Sequence, residues 1–221
     1  LFLELTGRVD QSSTLPKANN TFFYPGVSSS FVFTDALDIK SNVISYGKLR
    51  ASVAKVGKDA DPFLLDNVFV TGSYGNNVAE FGFPFGTIPG WAQSSRIANN
   101  ELTPEFTTSY EGGINLGLFN NRVNIDAAYF YTSSTDQIVN VGVPASTGFL
   151  TKTANVGKMT NQGIELLVNA RILSGKQFSW DISANYTRIR NKVVEIGGGI
   201  TSFSINGNRF TGALPTIMEG E

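Results

Sequence analysis

Three aspartates, Asp59, Asp61 and Asp66, fall in one stretch of the chain and offer oxygen ligands to a hard cation such as Ca²⁺. Their spacing is not that of an EF-hand loop. Two of them would serve as the acid and base of a glycosidase only at a fixed separation, which nothing in the sequence sets. Solvated loop acids are the commoner outcome, so no metal ligand and no catalytic residue is assigned. Nearby, Phe81-Gly82-Phe83-Pro84-Phe85 and Trp91 place aromatic rings among turn-forming residues. Rings exposed in a loop stack on the apolar faces of sugars at small entropic cost. Phe83, Phe85 and Trp91 are therefore the candidate substrate-binding residues. The blander alternative is that they pin a long loop onto its neighbours or onto a partner lid. Gly197-Gly198-Gly199 lacks both a Walker Lys-Ser/Thr and a complete GxGxxG, which argues for a flexible loop over a phosphate cradle. Asn185-Tyr186-Thr187 has the form of a glycosylation acceptor but interrupts a strand-like pattern, so the match is taken as chance.

Two absences narrow the chemistry further. With no cysteine, disulfides, thiol nucleophiles and cysteine zinc sites are excluded within this sequence. With no histidine, so are Ser-His-Asp catalysis and an imidazole pH switch. A formal net charge of −1 gives no broad attraction to nucleic acid. The expectation is a non-enzymatic protein without a cofactor.

The elements that must carry these residues have period two. Phe178, Trp180, Ile182, Ala184 and Tyr186 alternate with Ser179, Asp181, Ser183, Asn185 and Thr187. A helix would scatter the first set around its circumference, whereas a strand puts it on one face. Ile164, Leu166, Val168, Ala170 and Ile172 repeat the pattern against Glu165, Asn169 and Arg171, and Ser174-Gly175-Lys176 joins the two as a hairpin, its glycine at a point where positive φ is cheap. Tyr110–Leu118 and Val123–Tyr131 make a second hairpin through Asn120-Asn121. Leu1–Asp10, Phe22–Thr34 and Tyr46–Val56 complete seven predicted strands, with a short helical connection within Asp35–Ser45.

Connections alternate in length. Phe119–Arg122 and Ser174–Gln177 are short, while Lys58–Thr103, Asp136–Thr160 and the stretch after Asn191 are long. Outer-membrane barrels combine short periplasmic turns with long extracellular loops and strands of ~9–11 residues. Phe119, Phe178 and Trp180 near the short turns, with Phe106, Tyr129, Phe130, Tyr131 and Tyr186 near the long loops, are placed as two aromatic girdles. The fold expected is all-β: an antiparallel transmembrane β-barrel segment, with Asp126, Glu165, Arg171 and Asp181 on its inner face. Alternation alone leaves a second reading open, a soluble β-sandwich carbohydrate-binding module whose apolar face meets another sheet.

Particular runs of residues carry a resemblance. Leu102-Thr103-Pro104-Glu105, Glu111-Gly112-Gly113, Leu118-Phe119-Asn120-Asn121-Arg122 and Asp126-Ala127-Ala128-Tyr129-Phe130-Tyr131 resemble the C-terminal barrel half of SusC/RagA-type TonB-dependent transporters. The match is densest over Asn155-Val156-Gly157-Lys158-Met159-Thr160-Asn161-Gln162-Gly163-Ile164-Glu165. The resemblance implies an outer-membrane importer of oligosaccharide or peptide, energised by the TonB complex and lidded by a SusD-like surface lipoprotein. It also implies that residues 1–221 are one part of a barrel in contact with membrane lipid, without the family's plug, ending mid-barrel at Glu219-Gly220-Glu221.

Overall fold

The computed structural model describes residues 1–76, 79–197, 202–204 and 216–220. Gly198, Gly199, Glu221 and the side chain of Phe81 lie outside what it describes. The alternating segments form seven long strands: β1 (Phe2–Gln11), β2 (Thr21–Val32), β3 (Ile44–Lys58), β4 (Glu105–Leu118), β5 (Val123–Thr135), β6 (Lys158–Ser174) and β7 (Ser179–Glu195). They pair in chain order into one antiparallel sheet. Such a meander is the simplest solution for strands joined by hairpins, and it leaves β1 and β7 as edges.

The cross-strand register sorts every side chain to one of two faces. Ala127 lies opposite Ile114 on β4 and Leu166 on β6. Ile114 in turn meets Leu49, and Leu166 meets Tyr186. Continuing across the sheet, this face carries Leu3, Leu5, Val27, Leu49, Val53, Ile114, Leu116, Ile125, Ala127, Val168, Ile182 and Ala184. The opposite face carries Glu4, Ser28, Arg50, Glu111, Asn115, Asp126, Glu165, Asn185 and Thr187. Sequence and register agree on which residues are apolar neighbours.

No second sheet covers the apolar face among the described residues. Leu5, Tyr110 and Tyr186 remain 72%, 51% and 55% exposed. The buried hydrophobic cluster lies elsewhere, at the long-loop end, where Leu15, Phe22, Ala60, Leu64 and Leu102 pack with Tyr24, Leu65, Phe106 and Ile138. A sandwich would bury the apolar face between sheets. The soluble-module reading is therefore set aside. An uncovered apolar face of this extent suits lipid, which hydrates neither side chains nor backbone.

Several expectations change in detail. The helical connection is a single turn, Phe33–Ala36, and not a helix spanning the predicted region. Gly175 keeps an ordinary φ, its turn closed by its own N–H donating to the Phe178 carbonyl at 2.8 Å. The Phe119–Arg122 turn is where left-handed backbone is required: Phe119, Asn120 and Asn121 have φ of 53°, 57° and 60°. Phe130 is not part of a girdle. It faces the polar side opposite Glu111 and Gly163, and its ring fills the space above Gly163 that a Cβ would occupy.

Candidate functional site

On the polar face the middle strands bring four residues together. Arg50 of β3 donates through Nη1 to Asp126 Oδ1 at 2.8 Å and to Asn115 Oδ1 at 3.0 Å, and its Nε lies 3.3 Å from Glu111 Oε1. Asn115 Nδ2 donates to the other Asp126 oxygen at 2.6 Å. Gly113 makes this possible, because a Cβ there would stand 2.8 Å from the guanidinium carbon. Beyond Asp126 a recess of about 370 Å³ is lined by Arg50, Asp126, Glu165, Leu167, Asn185 and Thr187. Toward the short turns, Arg171 pairs with Asp181 at 3.0 Å. This face holds charge and hydrogen-bonding capacity suited to water.

The long connections all leave the sheet at the same end, the one reached by Gln11, Lys58, Thr135 and Glu195. They are not structureless, as their lengths and composition suggested. Ile138–Gly142, Thr151–Asn155 and Arg96–Ile97 form a three-stranded sheet in which two separate loops pair, Arg96 and Ile97 running parallel to Thr151 and Lys152. Asn155 clamps the same two loops. Its Nδ2 donates to the carbonyls of Thr103 at 2.7 Å and Asp136 at 2.9 Å, and its Oδ1 accepts from the Thr103 N–H at 2.9 Å. Lys58 reaches Glu105 at 3.5 Å, and the other Glu105 oxygen accepts the Ile138 N–H.

The loop aromatics divide. Phe83 is half-buried, its ring lying over Gly90, where a side chain would collide with it. Gly72 ties this turn together, donating to the Gly90 carbonyl at 2.8 Å and accepting the Phe83 N–H at 2.9 Å. The Phe83–Pro84 peptide bond is cis. Phe85 and Trp91 project outward, 67% and 66% exposed. Trp91 sits in a two-stranded ribbon, Phe69–Thr71 against Trp91–Gln93, opposite Thr71 and therefore on the same ribbon face as Phe69. Phe69 and Ile88 are equally exposed and were not singled out from the sequence; the run Phe69-Val70-Thr71 was the signal available. The aspartates do not converge. Asp59 accepts from Ser12 at 2.7 Å and Thr14 at 3.4 Å, Asp61 and Asp66 are exposed, and no group of three or more carboxylates among the described residues is placed to hold a metal.

An apolar face bare to its surroundings, a hydrated opposite face and loops gathered at one end are the parts of a membrane barrel wall. The sequence model for the TonB-dependent receptor-like β-barrel matches residues 1–216. The chain belongs to this family. TonB-dependent receptor barrels are outer-membrane proteins of Gram-negative bacteria, so the apolar face meets lipid and the polar face the lumen. Among relatives, TonB-dependent receptor P26 of Formosa agariphila is 30% identical over 89% of this chain and 19% of its own length. TonB-dependent receptor SusC of Bacteroides thetaiotaomicron is 28% identical over 88% of the chain and 19% of its own length. The structure of the RagAB peptide transporter superposes with a TM-score of 0.80 at 22% identity, over 99% of this chain and 22% of that one. The chain thus spans about a fifth of these receptors.

Proposed function

We propose that the protein carrying this chain imports a nutrient, an oligosaccharide or a peptide, across the outer membrane under the drive of the TonB complex. Residues 1–221 supply part of the barrel wall and several of the loops at its mouth. The observation that carries this reading is the register itself: one set of strands presents a continuous apolar face outward and the Arg50–Glu111–Asn115–Asp126 network inward. A solute passing such a wall meets hydrogen-bonding groups, and no arrangement for covalent chemistry is invoked. Import then consists of binding and conformational release, not catalysis. The relatives named SusC and RagAB support glycan or peptide as the substrate class. They also support a SusD-like lipoprotein as the partner seated over the loops.

Phe85 and Trp91 are the loop side chains we assign to substrate contact, with Phe83 holding the turn that presents them. The test is uptake of labelled oligosaccharides and oligopeptides by cells expressing the full-length receptor or its Phe85→Ala/Trp91→Ala variant. Loss of a stacking ring costs ~1 kcal/mol, so the double variant is expected to raise the half-saturating concentration on the order of tenfold at unchanged surface expression. Uptake indifferent to loss of TonB would overturn TonB-driven import. Uptake that needs TonB but ignores both rings would overturn only the loop assignment.

A further inference from the structure

Charge on the outward face is confined to one half of the sheet and is basic at every strand position except Glu195. Along β7 the outward positions run Trp180, Ile182, Ala184, Tyr186 and then switch to Arg188, Arg190 and Lys192. Their outward neighbours on β6 are Ile164, Gln162 and Thr160, and those on β5 beyond are Tyr129, Tyr131 and Ser133. None is an acid. Arg188, Arg190 and Lys192 are exposed and make no ion pair among the described residues. Lys55, also outward and in the same half, lies 4.0 Å over the Phe106 ring. The outward acid in this half is Glu195, opposite Lys158 at the extreme strand end. Toward the short turns the outward strand positions are apolar or small, without a charge.

Three cations in a row, without an acid beside them among the described residues, are costly at a hydrocarbon surface unless something neutralises them. Their neighbours identify the depth. Tyr110, Tyr129, Tyr131 and Tyr186 all face outward at or just below their level, where amphipathic rings mark the boundary between acyl chains and headgroups. Strand geometry spaces alternate side chains ~7 Å apart, so the row extends ~14 Å along the wall. We propose that Arg188, Arg190 and Lys192 bind the phosphate groups of lipids in the leaflet at the long-loop end, fixing the barrel's depth at that side. Guanidinium groups hold phosphate oxygens bidentately, and the adjoining Tyr129 and Gln162, themselves joined at 3.0 Å, add a polar rim. The asymmetry matters as much as the row: among the described residues no comparable cation stripe marks the short-turn side of the outward face.

This rests on the barrel reading, and the experiment separates the two. Full-length receptor, extracted in detergent, is titrated with short-chain phosphatidylglycerol at low salt, and bound lipid is counted by native mass spectrometry. The Arg188→Gln/Arg190→Gln/Lys192→Gln variant is expected to bind on the order of 100-fold more weakly. Lys40→Gln, a charge loss in the short connection at the other end, is expected to bind as the parent does. Heat-modifiable migration confirms that each variant is folded. Equal affinity of parent and triple variant would overturn the proposal, as would complete displacement of lipid by millimolar inorganic phosphate, which would mark a free-anion site. A receptor that stays folded and soluble without detergent would instead remove the barrel reading beneath it.

Discussion

Leu166 and Leu167 are adjacent, identical and on opposite faces, which makes them a test of the register with the leucine chemistry held constant. Leu166 lies opposite Ala127 and Tyr186 on the outward face. Leu167 lies opposite Asp126 and Asn185, on the polar face that also carries Arg50 and Glu165. Arginine at position 166 meets acyl chains at the level of Tyr186, between interface and midplane, where a cation costs ~1–3 kcal/mol. Arginine at position 167 meets water and two carboxylates. Leu167 is already 40% exposed, so its replacement is expected to shift stability by less than ~1 kcal/mol. A cost of ~1–3 kcal/mol corresponds to about 5- to 150-fold in the folding equilibrium. Denaturant unfolding of the full-length receptor in lipid vesicles, followed by tryptophan fluorescence, measures it. A depth series separates lipid from a protein core: Thr160→Arg, six residues nearer the long loops on the same face and level with Lys192, is expected to cost only ~0–1 kcal/mol. Equal destabilisation by Leu166→Arg and Leu167→Arg, or a larger effect of the latter, would refute the face assignment. A Thr160→Arg cost matching that of Leu166→Arg would refute lipid as what covers the face.

Two further outcomes follow from the loops and turns. Asn155→Ala removes all three hydrogen bonds that join the Thr103 and Asp136 segments, an expected local loss of ~1–3 kcal/mol, seen as faster proteolysis at the long-loop end while heat-modifiable migration is retained. At Asn120, φ of 57° is tolerated by asparagine and glycine but not by a β-branched residue. Asn120→Val should lower unfolding stability by ~1–2 kcal/mol and Asn120→Gly should leave it nearly unchanged, as read by the same denaturant titration.

Much of the sheet was legible in the sequence because the apolar face imposes period two wherever it meets lipid. All seven strands of the main sheet were anticipated, and the short turn at Asn120-Asn121 was recognisable from its residues. Strand ends were not. The sequence pattern stops at Tyr131 and Thr187, whereas β5 runs to Thr135 and β7 to Glu195. Beyond the apolar band both faces of a strand are wetted, so Thr132-Ser133-Ser134-Thr135 carries no alternation to read. For the same reason the sequence pattern, which ends at Thr187, assigns no face to Arg188, Arg190 and Lys192.

The chain's own residues determine, through hydropathy alternating at the strand period, that it forms long antiparallel strands with one face for lipid and one for water. They also determine, by lacking cysteine and histidine, which chemistries are out of reach. Tertiary structure decided which side chains meet across strands, and so drew Arg50, Glu111, Asn115 and Asp126 from three strands into one network. It also decided that Phe83 packs on Gly90 while Phe85 and Trp91 stay outward, and that two long loops pair with each other through Arg96–Ile97 and Thr151–Lys152. These are contacts between residues far apart in the chain. Hydropathy period is a local property, whereas partners across a loop of several dozen residues are selected only once the sheet has brought the loop ends together.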